Sequence, residues 1–141
     1  MCEDRERQDP LREAAFEALS AADRLSEAIV AVEVAQALTR EQLEQLRDLR
    51  PASLMPPQIT IEAVNALRGL AESLEPSIKR ETMTWFVHDE HDMSGGYEDS
   101  ETSDRGFALI RLRSALQNLA ERLMLVRNWQ EAERIAQQLR S

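Results

Sequence analysis

Several residue types are scarce in this chain, and each scarcity narrows what it can be. There is one cysteine, Cys2, so no disulfide can form within the chain, and a reducing cytoplasm is the expected compartment. No run approaches eighteen apolar residues, so no membrane-spanning helix is expected. The opening "MCEDRERQDP" is charged and has no apolar core of the kind a secretory signal needs. The four glycines, Gly69, Gly95, Gly96 and Gly106, form no phosphate-cradling loop, and no serine stands in a GxSxG context. Aromatics are only 4%, which points to a core of Leu, Ala, Ile and Val between helices. Lysine occurs once, at Lys79, among seventeen basic residues. That skew, with the abundant alanine, reads as genome composition.

The most telling scarcity is local. From Glu81 to Asp104 there are eight acids and no Lys or Arg. The whole chain carries a net charge of −9, and outside this segment acids and bases are nearly balanced. A chain so charged is repelled by phosphate backbones and anionic lipid surfaces, so neither nucleic acid nor membrane is an expected partner.

What is present describes one domain. At 141 residues, 43% hydrophobic and 30% charged, the chain is long enough for one core and apolar enough to fold. Asp9 followed by Pro10 opens a helix, and Ala15, Leu19, Ala22, Leu25, Ile29 and Val32 recur along it at three- and four-residue steps. "TREQ" at Thr39–Gln42 has the spacing of a capping box and starts a short helix through Leu43, Leu46 and Leu49. "PASLMPPQ" stops it, and Thr60 caps a third helix. "SIKRETMTWFVH" is read as helical, although Thr82, Thr84, Phe86 and Val87 favour strand, because no partner strand is visible nearby.

Asp104 is expected to cap the clearest helix. Leu109, Leu112, Leu116, Leu119, Leu123 and Val126 alternate three and four residues without a break. Beyond Asn128 the helix either breaks or continues with its apolar face rotated. "LAERLMLVRNWQEAERIAQQL" resembles half of a tetratricopeptide hairpin, with "WQEA" at the turn, but has no second copy. Trp129, like Trp85, is expected to be a core or half-core anchor. Arg105, Arg111, Arg113, Arg122 and Arg127 decorate this helix and are expected to pair with acids of the first helix or of the acidic segment.

The expected fold is all-α: an antiparallel bundle of four to five helices in a single domain, with a frayed N-terminus (1–8) and a mobile acidic loop (88–104). The two long helices, roughly 40 and 35 Å, outrun the short ones. The Leu109, Leu112, Leu116, Leu119 and Leu123 stripe is therefore expected to form the seam of a homodimer.

The stretch "TWFVHDEHDMSGGYEDSETSD" admits three readings. As a docking surface, Trp85 and Phe86 would anchor it on the helices while Asp89, Glu90, Asp92, Glu98 and Asp99 meet a basic partner protein. As a metal site, His88, His91 and Asp92 share a helical spacing that suits zinc or iron. The run is neither HExxH nor an EF-hand loop, and no metal or other cofactor is expected. The plain alternative is a solvated linker. The functional expectation is a non-enzymatic adaptor, inhibitor or small chaperone. Its size and acidity also match inhibitors carried by mobile genetic elements.

Overall fold

The computed structural model describes residues 9–49, 59–87 and 95–140. Helix α1 spans Pro10–Val34, α2 Arg40–Asp48, α3 Ile61–Ser73 and α4 Glu75–Arg80. Strands β1 (Thr82–Val87) and β2 (Tyr97–Thr102) come next, and α5 runs Asp104–Arg140. The protein is mostly helical, but it is not all-α: β1 and β2 form a two-stranded antiparallel sheet.

Local chemistry sets the helix starts where the sequence indicates. The Asp9 carboxylate accepts from the Leu11 N–H, and Pro10 occupies the first turn, where its missing N–H costs nothing. Thr39 and Gln42 form the reciprocal capping box: the Gln42 N–H donates to the Thr39 hydroxyl at 3.2 Å, and the Thr39 N–H donates to Gln42 Oε1 at 3.0 Å. Thr60 accepts from the Ala63 N–H at 3.1 Å. The Gln42 amide also donates to the Ser73 carbonyl and the Ser77 hydroxyl, tying α2 to the end of α3 and to α4 through a buried polar contact.

The most extensive packing is α1 against α5, antiparallel, with α3 on α5 next. Ion pairs mark the alignment. Arg122 meets Glu17 at 2.7 Å and Arg111 meets Glu27 at 3.3 Å, so these arginines pair with the first helix as expected. Arg113 bridges instead to Glu75 of α4.

The buried face of α1 is turned slightly from the expected one: Leu25 and Val32 are buried as expected and Ala22 and Ile29 pack against the core, but the centre of the face is alanine. Ala14, Ala18, Ala21, Leu25, Ala28 and Val32 point inward, whereas Leu19 is exposed. The reason is shape. An alanine-lined face lets α1 approach α5 closely, and the large leucines of α5 fill the space.

That packing also corrects the expected dimer seam. Leu109, Leu112, Leu116, Leu119 and Leu123 are each no more than 1% exposed within a single chain. Val64, Leu67, Leu70, Ala71 and Leu74, at α3 and its C-cap, join α1 in forming one core with them. The short helices do cover this stripe, and it offers a second copy nothing to bury.

Helix α5 does not break at Asn128; it continues to Arg140. The resemblance to a tetratricopeptide turn at "WQEA" therefore fails, because Trp129–Ala132 are helical. No helix among the described residues is long and apolar enough to cross a membrane.

If alanine size sets the α1–α5 spacing, Ala28→Leu is expected to cost about 1–3 kcal/mol by overpacking. Ser26→Leu, on the exposed side of the same turn, should cost far less. Urea unfolding of the two variants against the parent checks the difference.

Candidate functional site

The acidic segment is built outward from a hydrogen-bonded root. Helix α4 ends as the Glu81 N–H donates to the Ser77 and Ile78 carbonyls, and the Thr82 hydroxyl donates to Ile78 O at 2.9 Å. The chain leaves as β1 and returns as β2, where the Ser103 N–H donates to Glu81 O at 3.0 Å. The Ser103 hydroxyl then acts twice: it donates to Glu81 Oε2 at 2.7 Å and accepts from the Gly106 N–H at 3.1 Å. Ser103, not Asp104, is thus the side chain that caps α5. Arg105 sits 3.8 Å from Glu81 Oε1 and donates to the Gln36 carbonyl at 2.9 Å. Gln36 has a left-handed backbone (φ 52°) just past the end of α1, so the same arginine links hairpin root and helix end.

Gly106 is required by this junction. A Cβ there would lie 2.5 Å from Thr102 Cγ2 and 3.0 Å from Glu81 Cβ. Across the root the Thr82 and Thr102 hydroxyls are 3.2 Å apart.

Beyond the root the hairpin stands in solvent. The register pairs Met83 with Glu101, Trp85 with Asp99 and Val87 with Tyr97, and these six residues share one face. Thr82, Thr84 and Phe86 share the other with Thr102, Ser100 and Glu98. Met83 is 71% exposed, Tyr97 55% and Trp85 39%. Trp85 and Phe86 lie on opposite faces of a strand, the former more than half covered and the latter 54% exposed.

The residues expected to dock a partner are only partly brought together. Asp99 stands beside Trp85 and Glu98 beside Phe86. Asp89, Glu90 and Asp92 lie outside the described residues, as do the candidate metal ligands His88, His91 and Asp92. Among the described residues no group of three or more His, Cys, Asp or Glu is arranged to hold a metal. The expected loop over 88–104 is corrected in its second half: 97–102 is strand, and α5 begins at Asp104. Gly95 and Gly96 precede β2 with φ of 89° and 114°, the turn geometry glycine permits.

Sequence reasoning missed Tyr97, Met83 and Glu101 as members of this surface. The missed signal was a pair of six-residue stretches, "TMTWFV" and "YEDSET", flanking Gly-Gly.

A second surface lies at the far end of α5. The last core residue is Val126, and from Leu125 onward Leu125, Trp129, Ala132, Ala136 and Leu139 recur at steps of four and three. At about 100° per residue this stripe sits roughly 160° from the core-facing one, so the apolar face rotates without a break in the helix. Trp129 is 44% exposed and Leu139 83%, so Trp129 is outside the buried core. Glu131 and Arg134 pair one turn apart on this segment, and that hydrogen bond holds the Glu131 carboxyl below its ordinary range.

No family model matches the chain, and no curated protein or solved structure matches it.

The geometry at Gly106 yields a rescue test. Gly106→Ala is expected to destabilise the hairpin root by about 1–3 kcal/mol. Adding Thr102→Ser removes the methyl at 2.5 Å, keeps the hydroxyl, and should recover much of the loss in thermal melts.

Proposed function

We propose that this chain is a non-enzymatic protein–protein interaction module of the cytoplasm, an adaptor, inhibitor or small chaperone, whose acidic hairpin docks a basic partner protein. One observation carries the reading: Met83, Trp85 and Tyr97 are exposed on one strand face beside Asp99 and Glu101, within a segment that contains no Lys or Arg. A lone two-stranded sheet with large apolar side chains in water gains most when something covers it. Aromatic anchors and uncompensated acids on one face suit a partner that brings both apolar area and positive charge. The helical body gives the hairpin a rigid root, so little ordering is needed at the point of attachment.

The acids act mainly on association rate. Glu98→Gln, Asp99→Asn and Glu101→Gln together should leave the fold intact and slow capture of a basic partner several-fold at low salt. Capture from the native host with the parent bait, followed by association kinetics of the retained protein with parent and neutralised baits, checks this. Equal association by both baits at low salt would return the segment to the role of a linker.

We place homodimer contact on the Leu125–Leu139 stripe rather than on the buried leucines. Its flanks carry Arg127, Arg134 and Arg140 with Glu131 and Glu133, a mixture that selects no strongly charged partner. In an antiparallel pairing of two copies, Trp129 lies opposite Ala132 and Leu125 opposite Ala136, large against small. Light scattering at tens of micromolar should give twice 16.1 kDa for the parent, and Leu125→Glu with Leu139→Glu should give a folded monomer. A monomeric parent would remove this contact.

A further inference from the structure

The edges of the sheet decide how a basic partner can sit on the hairpin, and any such mode of binding rests on the docking function proposed above. A two-stranded sheet has two outer edges, and among the described residues no third strand pairs with either. The two edges differ in charge. Along β1 run Met83, Thr84, Trp85 and Phe86, all uncharged. Along β2 run Tyr97, Glu98, Asp99, Ser100 and Glu101, exposed throughout, with Asp99 and Glu101 on one face and Glu98 on the other.

An incoming strand beside β2 would meet carboxylates at cross-strand distance on both of its faces. Two copies of β2 placed edge to edge would set like charges against one another, so self-pairing there is opposed. A strand carrying Arg or Lys on both faces has the opposite sign at those positions. Charge therefore separates the occupants of this edge and prefers β2 to β1.

The strand is held in place at its root, although the Ser100 N–H donates to Asp99 Oδ1 at 2.8 Å and must exchange that bond for one to an incoming strand. Thr102 is fixed by the Thr82 hydroxyl, and the next residue, Ser103, is hydrogen-bonded to both the carbonyl and the carboxylate of Glu81. The strand is presented by the root and need not be ordered by its ligand, which lowers the cost of pairing.

We propose that a basic, extended segment of the partner protein pairs with β2 as a third strand of the sheet. Main-chain hydrogen bonds along Tyr97–Thr102 supply the binding, and bases facing Glu98, Asp99 and Glu101 supply the selection. An apolar residue on the face shared with Trp85 and Met83 extends the cover over that face.

The test uses the full chain carrying Trp129→Phe, so that tryptophan emission reports on Trp85 alone. The probes are an eight-residue peptide that repeats two arginines and two valines, which puts arginine and valine on both faces of a strand, the same peptide methylated at every backbone nitrogen, and a version with glutamate in place of arginine. The expected result is a shift in Trp85 emission with the first peptide and slowed hydrogen exchange of amides within Tyr97–Thr102. Binding should be at least tenfold weaker for the methylated peptide and absent for the glutamate peptide. Equal binding of the plain and methylated peptides, or protection confined to Thr82–Val87, would overturn strand addition on β2 while leaving the docking reading intact. Failure of both arginine peptides at low salt would overturn strand addition. The docking reading falls separately, if the neutralised bait captures its partner as fast as the parent.

Discussion

The alanine face of α1 lies directly on the leucine ridge of α5, and the rest of the molecule is arranged around that contact. Ala14, Ala18, Ala21 and Ala28 have nothing beyond Cβ, so the helix can come close, and α5 supplies the volume through Leu109, Leu112, Leu116, Leu119 and Leu123. A ridge filled from one side by alanine still needs cover on the other. Val64, Leu67, Leu70 and Leu74 provide it. Once α3 is seated there, α4 and the hairpin root fall at the N-terminal end of α5, where Ser103 can cap the helix and bond Glu81 together. The ridge is therefore used up inside one chain, and any surface for another molecule must lie elsewhere.

Two of the remaining surfaces, the hairpin and the end of α5, differ in chemistry because they differ in what the core has left over. At one end, strands β1 and β2 leave the helical body with aromatic and acidic side chains that no helix covers. At the other, among the described residues, α5 outlasts its neighbours. The ion pairs between α1 and α5 align Glu17 with Arg122, so the start of α1 at Pro10 lies about level with residue 129. The turns beyond have no neighbour of α1 to lie against, and their apolar stripe points away from the core. A helix segment this short is marginal on its own, and it persists here as the continuation of a buried one, with the Glu131–Arg134 pair adding a local tie.

How readable each element is in the sequence depends on what that element buries. Leu109–Val126 advertises itself because its burial is regular and its residues are large. The caps at Asp9, Thr39–Gln42 and Thr60 are readable because they are local bonds between a few neighbouring residues. Periodicity misreads the face of α1 because alanine carries little hydrophobic signal, so Leu19 and Ile29 outweigh Ala18 and Ala28. The hairpin escapes for a different reason. Burial on one face produces the alternation that marks a strand, and this sheet buries neither face fully, so "YEDSET" has the composition of a loop. The strand face that brings Trp85, Asp99, Met83 and Glu101 together depends on a register of pairing, which no local pattern encodes.

The charge distribution joins these points. The arginines of α5 are engaged by acids from other elements: Arg122 by Glu17, Arg111 by Glu27, Arg113 by Glu75 and Arg105 by Glu81. These contacts are partly exposed and each contributes little to stability. Their larger consequence is for the field. Outside the acidic segment acids and bases nearly balance, and among the described residues the base engaged with that segment is Arg105, at the root. The carboxylates farther out, Glu98, Asp99 and Glu101, lie beyond that contact. At physiological ionic strength their potential decays over about 8 Å, so it is felt close to the hairpin and hardly at all from the helices. A segment whose charge is left uncancelled by its own chain keeps that charge available to another molecule, and in this protein the uncancelled charge coincides with exposed aromatic side chains and an unpaired strand edge.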